Sequence, residues 1–188
     1  MAKALGAPDR FLTEYAETVP TYWCYGKLEI EFDEDAPHPM NWFQIEFAGE
    51  LRGDFEILTD SLVLSLEGLN GRTKPSACIE AGRWDPAGTL VNIGANVDDI
   101  MINICAGPVQ IFFRVDSTFI PDGDAERYIA ETALGQIIRD IDGRTEFDSI
   151  YSLPTAAIAS TRSRHGYKLA TDGTTYLAAL AYSSREPL

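Results

Sequence analysis

The residues of this chain whose types could do chemistry are two histidines, three cysteines and several clusters of acids. His38 stands in an acidic, proline-rich turn, Asp33-Glu34-Asp35-Ala36-Pro37-His38-Pro39. Such a turn could offer oxygens and one imidazole to a hard cation. It has no second histidine at metal spacing, and an irregular acidic loop is more often simply solvated. His165 lies in Arg162-Ser163-Arg164-His165-Gly166, which with Lys168 forms a basic island able to grip a phosphate or a carboxylate. The commoner reading of such an island is an exposed turn paired with acids of its own chain.

The run from Asp140 to Asp148 superficially has the acids of a calcium loop, but its Gly143 falls at the fourth position, whereas the EF-hand turn needs glycine at the sixth. A helix end followed by a polar turn explains it better. Asp98 and Asp99 would point to opposite faces of a strand, so they would not converge on one substrate unless they lay in a turn. Cys24, Cys78 and Cys105 are far apart with no C-x-x-C pair, which argues against a thiolate zinc site and for reduced, buried thiols, while their odd number leaves one intermolecular disulfide open. No nucleophile elbow and no phosphate loop occurs. The expectation is a protein without catalytic residues, metal or cofactor, and not an enzyme.

Composition narrows the partners. The 188 residues carry 29 acids against 15 bases, a net charge of −14, so the chain repels nucleic-acid phosphates on average. The charge is uneven: residues 1–60 sum to −9 and residues 149–188 to +2. An acidic beginning and a mildly basic end suit head-to-tail contact between copies. No apolar run approaches the roughly 20 residues that a bilayer span needs. The first residues have no apolar core of the signal-peptide kind, so the expected location is the cytoplasm or an assembled particle.

The elements that would position these residues centre on Thr89–Gly143. Apolar runs on either side of Gly107-Pro108 read as two central strands, apolar on both faces and covered by a second sheet and a helix. Asp124 to Asp142 reads as one long helix, with Ile129, Ala130, Ala133, Leu134, Ile137, Ile138 and Ile141 on one stripe. Upstream, Ala7 to Val19 reads as a short helix started by Asp9 and stopped by Pro20. Tyr22 to Phe32 reads as one strand, and Phe43, Ile45 and Phe47 begin another. Asn70-Gly71 signals a hairpin whose returning arm, Arg72 to Ala81, contains Pro75 and so belongs at a sheet edge. Asp172-Gly173 suggests a tight turn in a C-terminal hairpin, with a helix as the rival reading for Tyr176–Tyr182.

These elements make an α+β, β-rich fold: an antiparallel β-sandwich or barrel with one long helix packed on it and a short N-terminal helix. Residues 1–20 would be an arm, 21–148 the core, and 149–188 a C-terminal hairpin or assembly arm of the same domain. The function that fits is a structural subunit that packs against copies of itself and other assembly proteins, as in a virus or phage capsid, neck or tail. A small-ligand-binding barrel walled by Tyr15, Tyr22, Trp23, Tyr25, Trp42 and Phe43, or an acidic inhibitor of a basic partner, are the alternatives. Candidate contact residues are Phe11, Leu12, Tyr15, Tyr22, Trp23, Arg162, Arg164, Tyr167, Tyr176 and Tyr182, chosen as aromatic, apolar or guanidinium anchors.

Overall fold

Period-two alternation dominates the chain, and strands dominate the fold. The computed structural model describes residues 5–12, 22–33, 35, 37–52, 55–60, 62–65, 67–96, 99–152 and 167–183. Nine strands form one antiparallel sheet in the order β1 (Arg10–Leu12), β2 (Tyr22–Tyr25), β3 (Leu28–Phe32), β4 (Met40–Ile45), β10 (Thr145–Ser152), β9 (Val109–Val115), β8 (Ile100–Ala106), β7 (Leu90–Ala95), β11 (Tyr167–Asp172). A separate hairpin pairs β5 (Phe55–Thr59) with β6 (Leu62–Ser65). Among the described residues the sheet ends at β1 and β11 and does not close, so the fold there is α+β and strand-rich with no closed barrel.

One face of the sheet is apolar throughout. Val91 and Ile93 of β7, Ile102 and Ile104 of β8, and Ile111 and Phe113 of β9 all lie on it, buried. Phe113 stacks on Phe147 of β10 at 5.2 Å between ring centres. Four helices cover the β7–β10 half: α1 (Pro75–Glu80), α2 (Ala125–Glu131), α3 (Leu134–Ile141) and α4 (Gly173–Ser183). The β5–β6 hairpin covers the other half, where Leu58 and Leu62 pack on a smaller cluster of Tyr25, Ile30 and Phe32. None of the described helices is long and apolar enough to cross a membrane.

Several elements differ from the sequence expectation. The single helix over 124–142 is two helices, because Thr132 (ψ 140°) and Ala133 (ψ 138°) are extended between them. Thr132 is β-branched and Gly135 is a weak helix former, so the chain bends there at little cost. The bend lets α2 pack on β7 and β11 while α3 packs on α4. The arm after Asn70-Gly71 is α1 and not an edge strand, since Pro75 sits at the helix start, where its missing N–H costs nothing.

At the N-terminal end, Tyr22 to Phe32 is a hairpin turning at Gly26, whose φ of 56° suits glycine. The N-terminal segment enters as strand β1, not as a helix. Its Asp9 side chain accepts from the Gly26 N–H at 2.7 Å, stapling that turn instead of capping a helix. Residues 13–19 of the expected helix lie outside the described residues. At the other end the rival reading prevails. Asp172 closes β11 and starts α4, accepting from the Thr175 N–H (2.8 Å) and hydroxyl (2.9 Å).

Among the described glycines, Gly71 has the least room for a side chain. A Cβ there would stand 1.9 Å from the Gly49 carbonyl oxygen, whereas one at Gly143 would meet nothing. Gly71→Ala is therefore expected to lower stability by about 1–3 kcal/mol, as overpacking does. Gly143→Ala should be neutral or slightly stabilising. Urea melts of the two variants check this; equal midpoints would mean that the contact between the two loops yields freely.

Candidate functional site

The residues with chemical potential do not converge. His38 holds its own turn, with Nδ1 3.0 Å from the Asp33 carbonyl and φ at 56°. Asp33 in turn accepts from the Asp35 N–H at 2.9 Å. Asp99 sits in the turn after β7, where its N–H donates to Asn96 Oδ1 at 2.8 Å. The acids of the 140–148 run separate: Asp140 accepts from Tyr128 and Gln136, Asp142 points inward, and Asp148 pairs with Arg114 at 3.1 Å. Among the described residues no group of acids, histidines and cysteines is placed to hold a metal. All three cysteines are free and buried. Arg162, Arg164, His165, Tyr15 and Asp98 lie outside the described residues.

The strongest polar constellation is buried and structural. Asp142 Oδ1 accepts from the Ser76 N–H and the Tyr176 hydroxyl, both at 3.0 Å, and its Oδ2 accepts from the Ser76 hydroxyl at 2.8 Å. The proton of the serine hydroxyl is committed to the carboxylate. Tyr176 is fully buried, so it is a core residue and not a contact residue. Burial first, and then the charge of Asp142, push its phenol far above the ordinary range. Cys78, buried in α1, is pushed up to about 12 by the same desolvation.

A second polar line crosses the sheet face opposite the helices. Asn92 donates to Cys105 Sγ (3.4 Å), Cys105 to Asn103 Oδ1 (3.2 Å), and Asn103 to Gln110 Oε1 (2.8 Å). The central strands are thus apolar on one face only, where the sequence reading expected two. Asn92, Asn103 and Gln110, each at an alternate position of an apolar run, were the available signal.

Exposed apolar residues occur at the β1 end and on the hairpin, and also at Met40 and Phe47 on either end of β4 and at Tyr182. Phe11 and Leu12 are 59% and 52% exposed, opposite Trp23 and Tyr22 in the β1–β2 pairing. Four of the candidate contact residues therefore meet on one sheet edge. Tyr22 and Trp42 pack edge to face at 6.0 Å beside Glu31, whose carboxyl is raised mainly by burial. On the hairpin, Ile57 and Val63 are register partners and stand 71% and 56% exposed. Tyr182 is exposed at the end of α4, far along the chain from β1. Tyr167 begins β11 at the opposite sheet edge.

Compared with known proteins, the chain matches no family model, no curated protein and no solved structure.

The buried Tyr176 and Cys78, together with the half-buried Tyr128, set an alkaline limit. Tyr176, Tyr128 and Cys78 have folded-state values raised above those of the open chain. Their stabilising effect is complete below the unfolded values and fades as pH rises past them, because the unfolded chain then releases protons that the folded one retains. Stability should hold up to about pH 9 and then fall by about 1.4 kcal/mol per pH unit for each such group. Urea midpoints from pH 7 to 11 test this, and Tyr176→Phe should make the fall shallower. A flat profile to pH 11 would contradict it.

Proposed function

We propose that this protein is a non-enzymatic structural subunit that assembles with copies of itself through the β1 end of its sheet. The observation that carries this reading is the exposed apolar edge. Among the described strands β1 pairs on one side only, with β2, and it presents Phe11 and Leu12 to solvent. An unpaired edge with apolar side chains is a template for another strand, and soluble proteins that keep one usually cover it.

Charge gives the contact a direction. The first sixty residues of the sequence are acidic and residues 149–188 mildly basic, and such an asymmetry favours head-to-tail joining over face-to-face pairing. A component of a virus or phage particle, in the capsid, neck or tail, is the setting proposed for such a subunit. That part rests on analogy of fold class alone.

Sedimentation velocity over a concentration and salt series tests the proposal. Association is expected to grow with concentration and to weaken at high salt. The double variant Phe11→Asp, Leu12→Lys should be monomeric while its thermal melt stays within about 0.5 kcal/mol of the parent, as surface changes do. A parent chain that remains a monomer at high concentration and low salt would overturn it.

A further inference from the structure

A polar cleft of about 940 Å³ opens between two loops that touch. One follows β4 and carries Glu50 and Arg52; the other precedes α1 and carries Asn70 and Arg72. The Gly71 N–H donates to the Leu51 carbonyl at 2.9 Å, and a Cβ on Gly71 would collide with Gly49. Leu51 and Leu69 are buried and anchor the two loops in the core. Arg52 and Arg72 therefore flank one backbone hydrogen bond between anchored loops. Lys27 and Glu56 complete the charged lining. The cleft is distinct from a narrower apolar groove of about 330 Å³ beside Trp84, floored by Ile45, Ile111 and Ile150 where the two covers of the sheet meet.

The charges in this cleft do not cancel. Lys27 pairs with Glu50 at 2.9 Å. Glu56 accepts from the Arg52 N–H at 2.8 Å, and Asn70 Oδ1 from the Arg72 N–H at 2.9 Å, backbone bonds that leave both guanidinium groups unused. Lys27 holds the Glu50 carboxyl below its ordinary range, and Arg52 adds a little to this without forming an ion pair. Both arginines are exposed, and among the described residues neither guanidinium has a hydrogen-bond or ion-pair partner. Each of the other described basic side chains has a carboxylate, a carbonyl or an aromatic ring beside it. In a chain with 29 acids and 15 bases, two neighbouring guanidinium groups without a counter-charge are the exception. Like charges held side by side repel, and a compact dianion between them would remove that cost. The planar forks of two arginines match the oxygens of such a group.

We propose that this cleft binds a phosphate monoester of a small hydroxyl-bearing molecule, such as a sugar phosphate. The phosphate lies between Arg52 and Arg72. The cleft is at the upper end of the size range of small-molecule sites, larger than a phosphate alone requires. The polar body of the ligand faces Glu50 and Glu56, whose carboxylate oxygens accept from its hydroxyls. A long polyanion such as nucleic acid is repelled by the net charge of −14, which a single small ester largely escapes. The site is separate from the β1 edge and does not depend on the assembly reading.

Four probes separate the contributions: glucose 6-phosphate, inorganic phosphate, glucose and succinate. Calorimetry on the full chain at pH 8 and low salt is expected to give saturable binding of glucose 6-phosphate, about tenfold tighter than inorganic phosphate or succinate, and none of glucose. Arg52→Gln and Arg72→Gln should each weaken the ester about tenfold or more, as loss of a charged hydrogen bond does. Their urea midpoints should not move, because both side chains are exposed. Glu56→Gln should narrow the preference for the sugar ester over inorganic phosphate. Arg114→Gln removes an exposed guanidinium that pairs with Asp148 elsewhere, and should leave binding unchanged. An equal loss in Arg114→Gln would assign the binding to overall charge and overturn the proposal. So would no saturable binding of either phosphate, or succinate binding as tightly as the ester. Equal affinity for glucose 6-phosphate and inorganic phosphate would overturn the placement of the sugar against Glu50 and Glu56.

Discussion

The Asp142 carboxylate receives three hydrogen bonds from two elements far apart in the chain, α1 through Ser76 and α4 through Tyr176. A buried charge is tolerated only when its oxygens are fully bonded, so this arrangement has little freedom. It holds α1 and α4 against the turn that follows α3. The same turn is tied further by the Thr145 hydroxyl on the Asp142 carbonyl at 2.9 Å and by Lys74 Nζ on the Thr145 carbonyl at 2.5 Å. The helices that cover β7 to β10 are thereby set in place, and with them the isoleucine-rich core.

The other half of the sheet has a different roof. The hairpin lies over β2 to β4 and brings its own small cluster, Tyr25 with Ile30 and Phe32. Two covers of different kind do not merge without a seam, and the groove beside Trp84 is that seam. Beyond the hairpin the sheet runs on to β1, whose residues are all exposed. The exposed β1 rim and the groove beside Trp84 share one cause: a sheet of nine strands is wider than either of its covers.

Much of the fold was legible from alternation. Leu28, Ile30 and Phe32 against Glu29 and Glu31 place β3, and the Gly107-Pro108 corner correctly joins β8 to β9. Local signals with two outcomes misled. Asp9 can cap a helix or staple a turn, and the Gly26 N–H one hairpin away decided for the staple. Pro75 excludes a central strand but suits a helix start equally well. The stripe from Ile129 to Ile141 is compatible with one helix or two, because extended residues at 132 and 133 still leave Ile137, Ile138 and Ile141 facing the core. Of the candidate contacts, Phe11, Leu12, Tyr22 and Trp23 do meet at one edge. Tyr176 was misplaced, since a phenol can serve a surface or satisfy a buried carboxylate.

The sequence by itself determined the strand-rich class and the apolar runs on either side of Gly107-Pro108. Each of these follows from residue type or from spacing over a few positions. Only the tertiary structure decided that Ser76, Asp142 and Tyr176 share one bonded centre, that Arg83 and Trp84 stand beside Ile111 and Ile150, and that β1 is left at the rim. Those partners are separated by tens of residues. What joins them is the burial of the sheet as a whole, a property of the packed chain that no local window contains.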